Sequence, residues 1–470
     1  MDMITQNPYE RIFEDMKKNI KANIKANVTA GGYVEMHRDL DRNLETLATD
    51  SIRDTFETLD EQFKHSQARQ KHYHTKGKRP RTLMTIQGEV RFEREYYVPK
   101  EGGEGFFYVD RYLGLPERDY YDPLVKADII DASGKMSYGQ VGRVVADKIG
   151  RRCKQREEVE RATISRQTTR NIILQANSAP PPDKDPLPVD TLHIQLDEKH
   201  VHTQGKEKST HEVKAAVVHT GVENITGERN RLKDRHVLAE TESAYRLREK
   251  LLDHITTHYD LERLSHIIVS GDGAAWIKNS TVDLRFHKDM QFTYVLDRFH
   301  TDRAVNHITP LASIRKHLRT CIHQNQKRYF QDTIRALADH DPRREETILA
   351  KAAYLERHWA DIQNQKDSRF TGCSIEGHIS SIFAYPFTDR PKGYSERMMK
   401  KILALRLLEA NGEDIRELYL RRYIEDMPPT DDIPSIAEAT KDRSSPPSEH
   451  WLRELFKHIN HGGNPVIDTV

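Results

Sequence analysis

The chain has 470 residues, more than one core of ~100 to 200 residues usually holds, so two or three domains are expected. Lys plus Arg total 74 and Asp plus Glu 73; the net charge of +1 excludes a uniformly basic shell but not basic and acidic regions set apart along the chain. With 36% hydrophobic residues and a mean hydropathy of -0.79, no window reaches the ~18 to 20 apolar residues of a membrane helix.

The N-terminal stretch MDMITQNPYERIFEDMKK mixes acids and bases and lacks the apolar run of a secretory signal. Cys153, Cys321 and Cys373 lie far apart, without CxxC pairing, so a reducing, cytoplasmic setting is expected and a cysteine zinc site is not. Residues 1–80 read as a helical N-terminal region, with Ile12, Met16 and Ile20, then Leu40, Leu44 and Leu47, at helical spacing. Within it Lys64 to Arg81 carries seven Lys/Arg, three His and no acid. That stretch is either a solvated loop or a phosphate-contacting segment, with Lys71, Lys76, Lys78, Arg79 and Arg81 as its DNA-binding candidates.

Residues 81–176 open on alternation, TLMTIQGEVRFEREYYV, with Gly88 at a hairpin turn. Two helices follow, one capped by Ser137 and one by Ser165. Their Arg-rich connection and the polar start of the second suit a helix-turn-helix reader, through Arg151, Arg152, Arg166, Gln167 and Arg170; plain helix packing is the alternative. The proline-rich 177–190 reads as a linker and the main domain boundary.

Beyond it the order is three strands, TLHIQLDEKHVHT, HEVKAAVVHTGV and RHVLAE, then the amphipathic helix ESAYRLREKLLDHITTHY, then the strands in LSHIIVSGDGAAWI and QFTYVLDRFH. This is the order of a mixed α/β sheet of the ribonuclease-H-like kind, expected over 191–300 and 371–427. A helical insertion is expected over 301–370; its stretch from Arg303 to Arg328 has six Lys/Arg and no acid, with Arg315, Lys316 and Arg319 as DNA-binding candidates. Residues 428–470 read as a flexible tail with a short helix.

Asp197 ends the apolar run Leu192, Ile194, Leu196 and faces away from Leu196; Asp272 follows Ile267, Ile268 and Val269 directly and sits between glycines. A carboxylate at a strand's carboxyl end beside glycine is exposed at the sheet's edge, where the chain's own backbone can approach a ligand closely, though Gly-Asp-Gly is also an ordinary turn. Magnesium takes one or two carboxylates directly and leaves room for phosphate oxygens, and a pair of such ions serves in-line phosphoryl displacement. A third carboxylate is therefore wanted. Glu376 at the start of a helix supplies it, with Glu198 and Asp297 as rivals. His200 and His202 share a strand face without the further ligands a zinc site needs, and Trp276 is either a core residue or a base-stacking one. No P-loop, HExxH or GxSxG motif occurs.

QLDEKHV, SGDGAAWIK, VLDRFH and GCSIEGHISS followed by RPKGYS together resemble the DDE transposases of prokaryotic insertion sequences, in a group catalogued as an uncharacterised protein family and related to the Mutator-like superfamily. The resemblance covers roughly Thr82 to Ser395. It implies that Asp197, Asp272 and Glu376 are the catalytic carboxylates and hold two Mg2+ ions, for which Mn2+ substitutes. It also implies a helical insertion before Glu376, and matches Asp297 and His300 to an auxiliary Cys/Asp-x-x-His signature. The implied partners are double-stranded DNA, as element ends and target, and a second copy of the chain in a homodimer or larger assembly, in the cytoplasm on the nucleoid. A two-metal nuclease of the same fold, or a catalytically silent DNA-binding descendant, are the other readings.

Overall fold

The computed structural model describes residues 32–150, 164–177, 185–204, 209–280, 284–384 and 393–427, apart from 117 and 228, together with isolated residues 17, 18, 21, 22 and 387. These fall into two compact units: one within 1–128, 142–165 and 420–470, the other within 129–141 and 166–419. The second unit takes in 166–177, upstream of the proline-rich segment, so the division does not fall at 177–190 as expected. The reason is packing: the Lys401 side chain of a later helix donates to the Ala176 carbonyl.

In the first unit, helix α1 (Tyr33–His65) and the short α2 (Gln67–His72) lead into β1 (Tyr73–Thr85) and β2 (Gly88–Pro99), an antiparallel hairpin closed at Thr85 and Gly88 as the sequence predicts. The strand begins at Tyr73, not near Arg81. Most of the basic stretch is therefore strand, and His74 to Pro80 are exposed along it. A two-residue β3 (Phe106–Phe107) and α3 (Tyr108–Tyr112) complete this core. Phe63 of α1 stacks on Tyr108 at 3.9 Å, and Tyr97 meets Phe63 edge-on at 4.9 Å. Three further helices follow in the chain: α4 (Pro123–Ser133) and α5 (Tyr138–Gly150), each divided between the two units, and α6 (Arg166–Gln175), which belongs to the second. Ser137 opens α5 as predicted, and the Gln140 side-chain oxygen reaches back to accept both the Ser137 N–H at 3.1 Å and its hydroxyl at 2.8 Å.

The second unit is built on a mixed five-stranded sheet. Strand β4 (Thr191–Thr203) pairs antiparallel with β5 (Ser209–His219). After the exposed hairpin β6 (Gly221–Thr226) and β7 (Arg229–Lys233), which sequence periodicity did not reveal, β8 (His236–Glu240) pairs antiparallel with β5. Helix α7 (Ala244–His258), capped by the Ser243 side chain, crosses to β9 (His266–Gly271), which runs parallel to β4. Helix α8 (Ala275–Ser280) then leads to β10 (Gln291–Leu296), parallel to β9, for a sheet order β10-β9-β4-β5-β8.

Period-two patterning on β4 divides its faces. Leu192, Ile194 and Leu196 join Ile267, Val269, Leu247 and Leu251 in the apolar core, while His193, Gln195 and Asp197 are buried on the other side. Each core leucine buried so contributes ~2 kcal/mol.

A helical layer follows β10, the last strand of the sheet, starting at α9 (Arg298–Ile308) and continuing through α10 (Ala312–His323), α11 (Lys327–His340), α12 (Glu345–Arg357) and α13 (Trp359–Gln363). It has its own core of Val305, Ile308, Leu318, Phe330 and Trp359. The short α14 (Ile375–Ile379) passes into a single π-helical turn, Ser380–Ala384, before α15 (Glu396–Ala410) and α16 (Ile415–Glu425). Among the described residues no helix is long and apolar enough to cross a membrane.

Candidate metal centre

Sheet register sets the level of three carboxylates. Gln195 pairs with Ser270 and Leu296 with Gly271, so the next steps put Asp197, midway along β4, level with Asp272 and Asp297, which stand just past the carboxyl ends of β9 and β10. The Asp297 N–H still donates to Gly271 O at 2.9 Å. Gly271 must be glycine here, because a Cβ would lie 2.8 Å from the Leu196 carbonyl oxygen.

The three are not equivalent. Asp197 is 6% exposed and accepts the Glu198 N–H at 2.7 Å. Burial pushes its carboxyl up to about 7; the Glu198 N–H opposes this, and the nearby Glu376 and Asp272 carboxylates reinforce it. Asp272 turns Oδ1 back to the Ala274 N–H at 2.8 Å, while its backbone is held from two sides: Tyr354 donates to its carbonyl at 2.6 Å, and the neighbouring Gly273 N–H donates to Tyr294 at 2.9 Å. Asp297 caps α9, accepting the Phe299 N–H at 3.3 Å, and burial raises its carboxyl too.

Glu376 arrives from across the fold. Ser374 stands at the N-cap of α14, and both its N–H, at 2.9 Å, and its hydroxyl, at 3.2 Å, donate to the Gln195 side-chain oxygen. The Gln195 amide NH2 faces His219 Nε2 at 3.0 Å and the Gly372 carbonyl at 3.4 Å. His219 Nδ1 in turn faces the Gly221 carbonyl at 3.1 Å, which makes Nδ1 the protonated nitrogen and Nε2 the acceptor. Gln195 and His219 are both essentially buried. Their part was missed in the sequence, where Gln195 reads only as a polar residue on a strand; its place two residues before Asp197 on the same face was the available signal.

The outcome is a group of three donors, Asp197, His300 and Glu376, whose ligand atoms all lie within 4.8 Å of one another. His300 Nε2 stands 3.7 Å from Glu376 Oε1 and makes no hydrogen bond among the described residues, although it is buried. Two carboxylates, one of them buried beside an unpartnered imidazole nitrogen, fit a divalent cation; the imidazole makes the set as suitable for Mn2+ as for Mg2+. Asp272 stands at the margin of this group and His300 inside it, which reverses their expected weights. Asp297, a rival for the third carboxylate, serves as a helix cap, and Glu198 contributes its N–H. The Cys373 thiol is pushed up to about 12 by burial, with the nearby Asp297 and Asp197 carboxylates reinforcing the shift.

The expected DNA-binding residues lie in three settings. Lys71, Lys76, Lys78 and Arg79 are exposed, Lys78 within 3.8 Å of Glu61 and Arg79 over the Tyr96 ring at 4.4 Å. Arg81 departs from expectation: it is 6% exposed, pairs with Asp110 at 2.6 Å and donates to Pro116 O at 2.7 Å, so it ties the hairpin to α3 and the segment after it, and its side chain is buried. Arg166 and Gln167 are exposed and Arg170 half-buried at the start of α6, where Gln167 donates to Asn171 at 2.8 Å; Arg151 and Arg152 lie outside the described residues. On α10, Lys316 is exposed and Arg315 half-buried, while Arg319 is tied to Asp302 at 2.6 Å. His202 bonds Thr210 at 3.0 Å on the β4–β5 ladder, and Trp276 is half-buried with Lys214 over its ring at 5.3 Å.

Comparison with known proteins places this site inside a recognised group. A UPF0236 protein of Caldanaerobacter subterraneus subsp. tengcongensis is 27% identical over 383 residues, 80% of this chain and 78% of the relative. A second from the same organism, whose name joins eleven gene designations, is 27% identical over 383 residues, 80% and 77% of the two chains. The UPF0236 protein in the vanSb 3' region of Streptococcus gallolyticus is 28% identical over 297 residues, 61% and 62%. The family model, described as an uncharacterised protein family, matches residues 32–422, both site carboxylates and His300 included; the chain belongs to the UPF0236 family.

Proposed function

We propose that this chain is a DNA transposase, with the second unit a ribonuclease-H-like catalytic domain. It would bind the terminal inverted repeats of an insertion sequence, cut the phosphodiester backbone and join the freed 3' ends to target DNA. The observation that carries the reading is the convergence of Asp197 and Glu376 from distant parts of the chain, with Asp272 level with Asp197 on the next strand. That arrangement fits in-line displacement at phosphorus; Asp197 and Glu376, which it brings together, are two of the three carboxylates implied by the resemblance to Mutator-related DDE transposases, with His300 standing in the group and Asp272 outside it. A relative's name joining eleven designations also suits a sequence present in many copies of one genome, as mobile elements are.

Mg2+ or Mn2+ held there would supply charge neutralisation for the attacking and leaving oxygens. Asp197 and Glu376 would provide carboxylate oxygens and His300 its Nε2; Asp272, once released from the Ala274 N–H, would add a further oxygen on the Asp197 side. The Gln195 side chain keeps Glu376 in place, and Tyr354 and Tyr294 fix the turn that carries Asp272. Bringing two element ends together requires a dimer or larger assembly on DNA.

Asp272→Asn tests the reading, with cleavage of inverted-repeat DNA and binding to it measured separately. Cleavage should be lost while binding is retained or strengthened, since a carboxylate that repels phosphate is gone. Unchanged cleavage removes Asp272 from the chemistry. Cleavage by the wild-type chain without strand joining would instead favour a nuclease.

A further inference from the structure

A cleft of about 800 Å3 opens on the same sheet face as the carboxylates, and the chemistry described so far does not use it. Gln195 forms part of its floor. On β4 the step from Asp197 to Gln195 covers ~7 Å, so the cleft begins about one extended nucleotide away from the metal centre. One wall is the loop that carries Cys373 and Ser374 towards Glu376; the opposite wall is the hairpin β6–β7 with the turn that follows it.

The hairpin forms a two-stranded sheet of its own and is mostly exposed, so core packing does not account for it. Its charges are not all matched. Arg231 pairs with Glu223 across the strands, and Asp234 turns its carboxylate to the Thr220 hydroxyl at 2.6 Å. Lys233 and Arg235 are both exposed and neither makes an ion pair among the described residues; Arg235 donates only to the Ala410 carbonyl. Val222 and Leu232, directly paired on the hairpin, add an apolar surface beside those two cations. Cations next to an apolar surface suit a nucleotide, the cations for phosphate and the apolar pair for a base face. The volume falls within the ~300 to 1,000 Å3 of small-ligand clefts, too small for a duplex.

We propose that this cleft is a subsite for a single DNA strand, receiving the unpaired nucleotides next to the phosphodiester at the carboxylates, with Lys233 and Arg235 as its phosphate contacts. The inference rests on the DNA-processing reading above and adds to it the hairpin as the element that separates one strand from the duplex end.

The test uses the full chain in chelator, so that no cleavage occurs, and measures anisotropy with a labelled blunt duplex and with the same duplex carrying a single-stranded 3' extension. The wild-type chain should bind the extended DNA more tightly. Lys233→Ala combined with Arg235→Ala should reduce that binding roughly fivefold or more, change blunt-duplex binding less than about twofold, and lower the slope of log affinity against log salt by ~1.4, about 0.7 per phosphate contact on a single strand. Lys233→Arg with Arg235→Lys keeps both charges and should behave as wild type, which separates phosphate contact from a folding defect. Duplex binding without preference for the extension, or an unchanged salt slope in the double alanine variant, overturns the subsite while leaving the DNA reading in place. Displacement of the extended DNA by inorganic phosphate or thymidine monophosphate at low millimolar concentration would show a free-phosphate site and overturn the strand assignment. No binding of wild type to either DNA overturns both.

Discussion

Two connections deliver the carboxylates of this site, and they are held in opposite ways. The loop before Glu376 depends on one buried side chain: Ser374 N–H, Ser374 hydroxyl and Gly372 carbonyl all meet Gln195. The turn carrying Asp272 is held in several independent ways, by Tyr354 on its carbonyl, by Tyr294 beside Gly273, and by its own Asp272–Ala274 bond. The first should fail all at once when its single anchor is removed. The second should loosen by degrees.

Gln195→Leu puts the contrast under the greatest strain. It leaves the Ser374 N–H and its own site beside His219 without partners in a buried place, which should destabilise the chain by ~3 kcal/mol in chemical denaturation. Mn2+ affinity, read by calorimetry, should fall about tenfold as Glu376 is released; undiminished affinity would mean that Glu376 is placed by something other than Gln195.

Asp197→Asn comes next, and its effect depends on pH. The folded carboxyl stands at about 7 against an ordinary 3.8, so the folded state holds its proton after the unfolded chain has lost it. The contribution of Asp197 to the stability of the metal-free chain is therefore greatest below about pH 4 and is lost as pH rises through 7. The substitution should stabilise the metal-free chain by roughly 2 kcal/mol at pH 8 and hardly at all at pH 4, compared by thermal melting in chelator. A stabilisation independent of pH would show that the carboxylate's charge is not what opposes folding.

Tyr354→Phe should have the smallest effect, ~1 kcal/mol, because one neutral hydrogen bond is lost while Tyr294 and Ala274 still hold the turn. A loss equal to that of Gln195→Leu would abolish the contrast, making the Asp272 turn as singly anchored as the Glu376 loop.

The sheet was largely legible in the sequence, since alternation in LHIQLDE and the apolar run before Gly271 give both strands and their carboxylate ends directly. The cap by Ser137 and the helical layer before Glu376 were legible for the same reason, as local signals. What escaped depended on contacts between distant residues. Nothing near Arg81 in the chain announces that it will be buried against Asp110, which lies between Arg81 and Arg94. Nothing in VLDRFH says that His300 will come within 4.8 Å of Asp197 and Glu376 as a third donor. The β6–β7 hairpin is short, polar and exposed on both strands, so it lacks the alternation that reveals half-buried strands.

The sense of each bond between His219 and Ser374 is fixed alike from both ends, by the Gly221 carbonyl, which can only accept, and the Ser374 N–H, which can only donate. Because the Gly221 carbonyl can only accept, His219 must donate from Nδ1 and receive at Nε2, Gln195 must then turn its NH2 inward, and its oxygen is left facing Ser374. The chain of bonds thus has one polarity, the same from the root of the β6–β7 hairpin as from the start of the helix bearing Glu376. Reversing any member requires reversing them all, so this buried row acts as a keyed latch with a single fitting orientation.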